Sequence, residues 1–439
     1  MITVATILII GASIALIARR VDARLVLIIA GTLLASLAGT PTRILDVFQT
    51  AVGRGDIIGP ICTAMGYAFV LRHTGCDTQM VRLLIRPVRD LSWALVPAGV
   101  IIGFITNMAI TSQTAAAAAV GPILLPLMLA AGYTPASAGA TLLIGCSVGG
   151  NLFNPGEPDI VAVKGATGVG IADVIASATA PTLLAAALAI IALILVLSKR
   201  GLLPTQSGAA RSADVPMTLH DVVRALLAPL PVMLLLVLQP RWNLVPVLQQ
   251  IWPNGIAVSA IMLVCTALVM IFTAGRSRPL ASHVNEITLE FFKGMGHAFT
   301  AVISVIIAAT CFLAGLESVG AIRAFTGLIA SNTDLAAVLS PVITWLLAMV
   351  SGSGTAPSVA FSQGVLPALA EGGQLTLAIS LGVAGAIGAS IGRTMSPVSA
   401  VMHFTGSISG ASIPDLLRLV WIPMVSALLG TILYGLVFS

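Results

Sequence analysis

Charge is scarce in this chain. Only 8% of its 439 residues are Asp, Glu, Lys or Arg, where a soluble domain carries roughly 25%. Apolar residues make up 58%, which excludes an ordinary water-soluble fold. Cysteine is equally sparse. Cys62, Cys76, Cys146, Cys265 and Cys311 lie in or beside apolar runs, and none are spaced as CxxC. That excludes a disulfide framework or a zinc site and leaves small buried hydrophobes. HExxH, GxGxxG and P-loop patterns are missing, so no motif marks a zinc protease, a dinucleotide enzyme or an ATP-driven module. The expectation is a non-enzyme without a cofactor, whose pumping would draw on an ion or exchange gradient. No basic stretch precedes the first apolar run, Ile2 to Ala18; Arg19 and Arg20 follow it. A cleaved signal peptide has the reverse order, so this run reads as a retained first helix. The net charge is +5 and 18 of the 21 cations are Arg. They are spread over short loops without a dense cluster, which excludes a nucleic-acid surface.

What is present is a succession of apolar runs, at about 2–18, 25–39, 57–71, 178–198, 223–239, 255–273, 298–316 and 417–438. These approach the roughly 17–25 residues with which a helix crosses a bilayer. They are continuous rather than alternating, which argues against a membrane barrel. Regions 92–131 and 336–371 each read as two shorter helices joined at a polar tip. Regions 136–175 and 375–410 each read as one helix broken in the middle. The expected class is an all-α polytopic membrane protein.

The interruptions come in pairs. Thr111-Ser112-Gln113-Thr114 is followed by Asn151-Leu152-Phe153-Asn154-Pro155-Gly156-Glu157-Pro158-Asp159. In the second half, Ser351-Gly352-Ser353-Gly354-Thr355-Ala356-Pro357 is followed by Gly392-Arg393-Thr394-Met395-Ser396-Pro397-Val398-Ser399. Ser112 to Asn154 is 42 residues and Ser353 to Ser396 is 43. Gly/Pro-interrupted hydrophobic segments at matching places in two halves point to a secondary transporter's binding site. The predicted organisation is a first repeat over 1–198, a cytoplasmic linker over 199–221 and a second repeat over 222–439.

Basic residues set the orientation. Placing Arg19, Arg20 and Arg24 in the cytoplasm also places there Arg82, Arg86, Arg89, Lys199, Arg200, Arg211, Arg276, Arg278 and Arg418. The other side receives Arg43, Arg54, Arg241 and Arg323. This bias predicts both termini outside. It requires 92–131 and 336–371 to be re-entrant hairpins, so each half has an odd number of crossings and the halves are inverted.

Each interruption has a chemical use. An unpaired backbone group in hydrocarbon costs several kcal/mol, so breaks persist only where protein or water satisfies them. Pro155, Pro158 and Pro397 lack a donor; Gly156, Gly352 and Gly354 are expected to adopt conformations closed to other residues. Freed N–H groups at helix starts attract anions, and freed carbonyls can coordinate Na⁺. Thr111, Ser112, Thr114, Ser351, Ser353, Thr355, Thr394, Ser396 and Ser399 add hydroxyls; Asn151 and Asn154 add donors and acceptors. Arg393 sits inside an apolar region, where charge is costly and usually functional. Its guanidinium can hold a carboxylate through two hydrogen bonds. Glu157 and Asp159 flank Pro158 and are the candidates for carrying H⁺ or binding Na⁺. The candidate substrate-binding set is completed by the backbone-shaping Pro155, Gly352, Gly354 and Pro397.

With these residues in view, the chain resembles the DcuC-type C4-dicarboxylate carriers of the ion-transporter superfamily. The Ser351–Pro357 tip is similar to that family's Gly-Ser-Gly-Asn-Ala-Pro hairpin, with Thr355 in place of Asn. The Gly392–Ser399 run is similar to its Gly-Arg-Thr-Leu-Ser-Pro-Val-Ser break. The resemblance implies an inverted-repeat fold with two re-entrant hairpins, and a scaffold beside a mobile, elevator-type domain. It further implies a homodimer in a bacterial inner membrane and the substrates fumarate, succinate and malate. A gluconate-like monocarboxylate or amino-acid permease of the same superfamily is the alternative. A channel or membrane scaffold would need no pair of matched binding hairpins.

Overall fold

The computed structural model describes residues 2–19, 21–88, 91, 94–204, 217–238, 245, 247, 256–274, 279–321 and 332–438. Residues 205–216 of the predicted linker lie outside the described residues. So do Arg20, Arg89, Arg211, Arg241, Arg276, Arg278 and Arg323 of the orientation argument, and positions 92–93, 239 and 255 at the edges of predicted spans. Among the described residues every regular element is a helix. Seven helices among the described residues are long and apolar enough to cross a membrane: Gln113–Ala130, Pro135–Thr167, Ile171–Lys199, Leu280–Ser318, Thr333–Ser351, Leu375–Thr394 and Ile413–Phe438. The outer surface is rich in exposed Leu, Ile and Val, such as Ile7, Leu8, Leu263, Ile271, Leu433 and Val437. In water such a surface would aggregate; against lipid it is the stable choice.

One set of elements occurs twice. Leu95–Ala109 and Gln113–Ala130 form a first hairpin, and Thr333–Ser351 and Thr355–Glu371 a second. Each is followed by a broken helix. The first has a leading segment Pro135–Ser147 and a trailing segment Pro158–Thr167; the second has Leu375–Thr394 and Ala400–Ser409. Each set closes with a long helix, Ile171–Lys199 or Ile413–Phe438, and these two pack on each other. Local chemistry fixes the ends. Thr134 caps the first broken helix, accepting from Ser137 N at 3.1 Å, with Pro135 at its first position, where a missing N–H costs nothing. Both trailing segments end at a left-handed glycine, Gly168 and Gly410.

The packing crosses between the sets. The return arm of the first hairpin lies on the second trailing segment, and that of the second hairpin on the first trailing segment. The first broken helix runs through the centre, with Leu142, Leu143, Ile144, Leu152 and Ile160 fully buried. Around this core, Ala23–Leu37 packs on Ser304–Ser318, and Gly55–Thr74 packs on Leu280–Ala298 and Val258–Thr273.

Close approach of backbones holds each hairpin to its broken helix. A Cβ at Gly103 would lie 2.7 Å from the Gly145 carbonyl carbon. In the second set, Cβ atoms at Gly388 and Gly392 would collide with the carbonyls of Pro341 and Trp345. Small residues let transmembrane helices meet this way, where lipid removes the hydrophobic drive between them.

The structure departs from the sequence reading in three places. The run 223–239 is two short helices, Leu219–Leu227 and Leu230–Val237, because Pro229 and Pro231 interrupt the ladder. The run 298–316 belongs to a longer helix from Leu280 to Ser318, with a widened turn at Phe299–Ile303. The helix starting at Leu219, capped by Thr218 and Asp221, takes the last residues assigned to the linker. The close packing makes a prediction. Gly388→Ala lowers stability by about 1–3 kcal/mol, seen as a lower melting temperature in detergent, whereas Gly11→Ala, which would meet nothing, does not lower it and gains about 0.5–1 kcal/mol in the helix interior.

Candidate functional site

The first tip and first break are stitched together by side-chain amides. Asn107, fully buried on the outgoing arm, accepts from Asn151 N at 3.1 Å and donates to Ile110 O at 2.9 Å. Asn154 donates to Met108 O at 2.8 Å and accepts from Gly156 N at 2.9 Å. Two of the break's freed amides, Asn151 N and Gly156 N, therefore have side-chain partners, as burial demands. Its sharp turn is made by Gly149 at φ 114°. Gly156, expected to play that part, is not left-handed; it supplies space, since a Cβ there would strike Ala64. At the tip, Thr111 is buried and Ser112 caps the return arm, accepting from Ala115 N at 3.3 Å; Thr114 is half-buried in its first turn. Pro155 is buried within the break.

The second tip is built differently. Gly352 turns it at φ 73°. Ser351 and Ser353 bond only within the tip: Ser353 N donates to Ser351 Oγ at 3.3 Å, and Ala356 N to Ser353 Oγ at 3.4 Å. Thr355 begins the return arm. Gly354, at φ −79°, is not left-handed. Its missing side chain makes room for Arg393, whose Nη1 would lie 2.8 Å from a Cβ there. Ser396 is buried, Pro397 is exposed, and Ser399 caps the trailing segment, accepting from Met402 N at 3.4 Å. Thr394 Oγ1 lies 2.7 Å from Ser147 Oγ and 2.7 Å from Ser390 O, so it can donate to the carbonyl while accepting from the Ser147 hydroxyl. These residues end the two leading segments, so this bond joins the two broken helices at their interruptions.

Arg393, Glu157 and Asp159 form the charged centre. Arg393 is only 7% exposed, and its Nε and Nη2 have no hydrogen-bond partner. Glu157 receives Asn151 Nδ2 at 2.8 Å on one oxygen, while the other is unpaired. Asp159 is fully buried with both oxygens unpaired, beside Ser358, whose hydroxyl is also unpaired. Both carboxyls lie near enough to Arg393 to feel its charge. None of the three forms an ion pair among the described residues. Buried charges without partners are expensive. A buried cluster of unsatisfied donors and acceptors calls for a further partner such as water, an ion or a solute.

The structure thus brings Gly354 to Arg393, Asn151 to Glu157 and Asn154 to the first hairpin. Thr394 is engaged in joining helices, and Pro397 faces outward. Sequence reasoning missed Asn107, Ser147, Gly149 and Ser358. Asn107 had a signal, a carboxamide inside an apolar run four residues before the tip; Ser147 and Ser358 had none that distinguishes them from packing residues.

An all-helical membrane protein whose paired hairpins and interrupted helices enclose an unsatisfied cation and two acids has the build of a solute transporter. The YdaH transporter of Alcanivorax borkumensis shares the fold, with a TM-score of 0.59 over 91% of this chain and 88% of that one, at 18% identity. The sequence profile of the DcuC family, C4-dicarboxylate anaerobic carriers, matches residues 32–438, and the chain belongs to that family. The anaerobic C4-dicarboxylate transporter DcuC of Escherichia coli is 24% identical over 381 residues, 85% of this chain and 79% of that protein. An uncharacterised transporter of Haemophilus influenzae is 40% identical over 121 residues, 28% of this chain and 83% of its own length.

The bond between the broken helices can be tested directly. Thr394→Val leaves the Ser147 hydroxyl without its partner and costs about 1–3 kcal/mol of stability; Thr394→Ser restores most of it. Thermal unfolding in detergent reads both.

Proposed function

We propose that this protein is a secondary carrier of C4-dicarboxylates such as succinate, fumarate and malate. The observation that carries the reading is Arg393: a buried guanidinium with free donors at the meeting of a hairpin tip and a helix break, in a chain of the DcuC family. A planar carboxylate matches that fork of donors. The hydroxyls of Ser353, Thr355 and Ser396 on one side, and of Thr111, Ser112 and Thr114 on the other, would hold the substrate's oxygens. Glu157 and Asp159 would bind the coupling ion, H⁺ or Na⁺.

The wider mechanism belongs to the same proposal. The two hairpins are re-entrant, and residues 1–198 and 222–439 are inverted repeats. The hairpins and broken helices move together against a scaffold, and two copies pair. The protein lies in a bacterial inner membrane with both termini outside the cytoplasm. The recurrence of hairpin, broken helix and long helix in the two halves supports the repeat. The bias of basic residues supports the orientation.

Counterflow tests the substrate. Liposomes containing the protein and loaded with unlabelled succinate accumulate labelled succinate transiently, and excess fumarate blocks it. Absence of accumulation from folded, inserted protein would overturn the dicarboxylate assignment, and the same assay with gluconate or amino acids would then locate the substrate. Arg393→Ala lowers succinate affinity by about 10–100-fold, the value of one or two charge-assisted hydrogen bonds, with melting temperature in detergent retained. Unchanged uptake kinetics in that variant would remove Arg393 from the binding site.

A further inference from the structure

The two tips occupy matching places but are held by different means. The first is tied to its break through Asn107 and Asn154, by bonds to Asn151 N, Ile110 O and Met108 O. Gly150 lies so close that its missing side chain faces Asn107 Cβ at 3.2 Å. From Val148 to Val163 every residue is buried. The second tip has no such tie. Counting back six residues from the return arm reaches Asn107 in the first hairpin and Met349 in the second. A thioether cannot donate to a neighbouring carbonyl as a carboxamide does. The hydrogen bonds of Ser351 and Ser353 stay within the tip, whose turn rests on Gly352. Val398, which lies against Gly352, is half-buried, and its neighbour Pro397 is exposed. The arms below the tip are firmly docked: Ser340 Oγ donates to Leu381 O at 2.6 Å, and Trp345 Nε1 to Met395 Sδ at 3.2 Å. Among the described residues, the end of the second hairpin shows no side-chain hydrogen bond to its broken helix.

We infer that Asn107 is a positioning residue that fixes the first tip to its broken helix, so that the second tip alone shifts when ligand enters or leaves. The carboxamide works at both ends. Its oxygen holds the start of the break, and its Nδ2 holds the carbonyl of Ile110 at the tip. Through Asn151 the same chain reaches Glu157, so the first tip and one carboxyl are set in a fixed relation. The second tip, resting against Arg393 through Gly354 and Val398 through Gly352, can lift without breaking a polar contact. Ligand on Arg393 would then draw it closed. The identity of that ligand rests on the carrier reading above; the fixing of the first tip by Asn107 does not.

Maleimide labelling of single cysteines tests this in the full-length protein, since the five native cysteines are buried. Ala115→Cys and Ala356→Cys report on the two tips, and neither residue is placed in the binding set. Without ligand, Ala356→Cys reacts faster than Ala115→Cys. Adding Asn107→Ala speeds Ala115→Cys labelling by about tenfold, the opening expected from losing one or two buried hydrogen bonds, and leaves Ala356→Cys unchanged. Asn107→Asp keeps the acceptor for Asn151 N but loses the donor to Ile110 O, and gives a smaller rise if the alanine variant folds poorly. Succinate slows Ala356→Cys and leaves Ala115→Cys unaffected. Unchanged Ala115→Cys labelling in both Asn107 variants would overturn the inference whatever the substrate is. Equal protection of both tips by succinate would also overturn it. No protection of either by succinate, together with the Asn107 effect, would instead count against the dicarboxylate reading and leave the positioning role standing.

Discussion

A helix interrupted in hydrocarbon must find new partners for each backbone group it frees. That requirement governs this structure. Water cannot do the work within a bilayer core, and each orphan costs several kcal/mol. At the first break protein side chains take up freed amides: Asn107 takes the Asn151 amide, Asn154 takes the Gly156 amide, and Asn154 in turn reaches Met108 O on the hairpin. A hairpin tip beside a broken helix is therefore a structural necessity before it is a binding device. The partners that make the break affordable are the same ones that fix where the tip sits.

Once the breaks are in place, the rest of the packing follows from how near two backbones must come. The side chains able to reach across a break are short, so the hairpin and the leading segment must nearly touch. Gly103 against Gly145, and Gly388 and Gly392 against the Pro341 and Trp345 carbonyls, provide that approach. These glycines lie within helices, where they cost roughly 0.5–1 kcal/mol each in backbone freedom. Helices in lipid tolerate that cost because close contact is what binds them to one another.

The same constraint decides what could be read from the sequence and what could not. The hairpins and broken helices were legible because a polar or proline-bearing stretch survives inside an apolar run only where the helix breaks against protein or water. Thr111-Ser112-Gln113-Thr114 and Asn154-Pro155-Gly156 both marked real interruptions. The ends of ordinary helices were less legible. Hydropathy does not see that Leu280–Ala298, with its Glu and Lys residues, continues into Ser304–Ser318. Residue type also misled where geometry decides: Gly149, not Gly156, adopts the left-handed turn, and nothing in the letter G separates a turn from a close approach. Asn107 escaped notice because it lies in the arm rather than the tip. Its importance depends on Asn151, 44 residues away, which no local pattern reveals.

The charged centre has a consequence for coupling that follows from charge balance. With Arg393, Glu157 and Asp159 all ionised, the buried centre carries one surplus negative charge. A dicarboxylate placed against Arg393 would add two more in a region of low dielectric, where like charges repel strongly. Such a complex is stable only if positive charge enters with the substrate, as protons on the carboxyls or as a cation between them. Glu157 has one oxygen tied to Asn151, whereas Asp159 has both oxygens free and the Ser358 hydroxyl beside it. Each acid keeps a free oxygen, so either would take that charge without breaking an existing bond. In the proposed carrier, the anion drawn to Arg393 would itself raise the cost of leaving both carboxylates without a proton or cation.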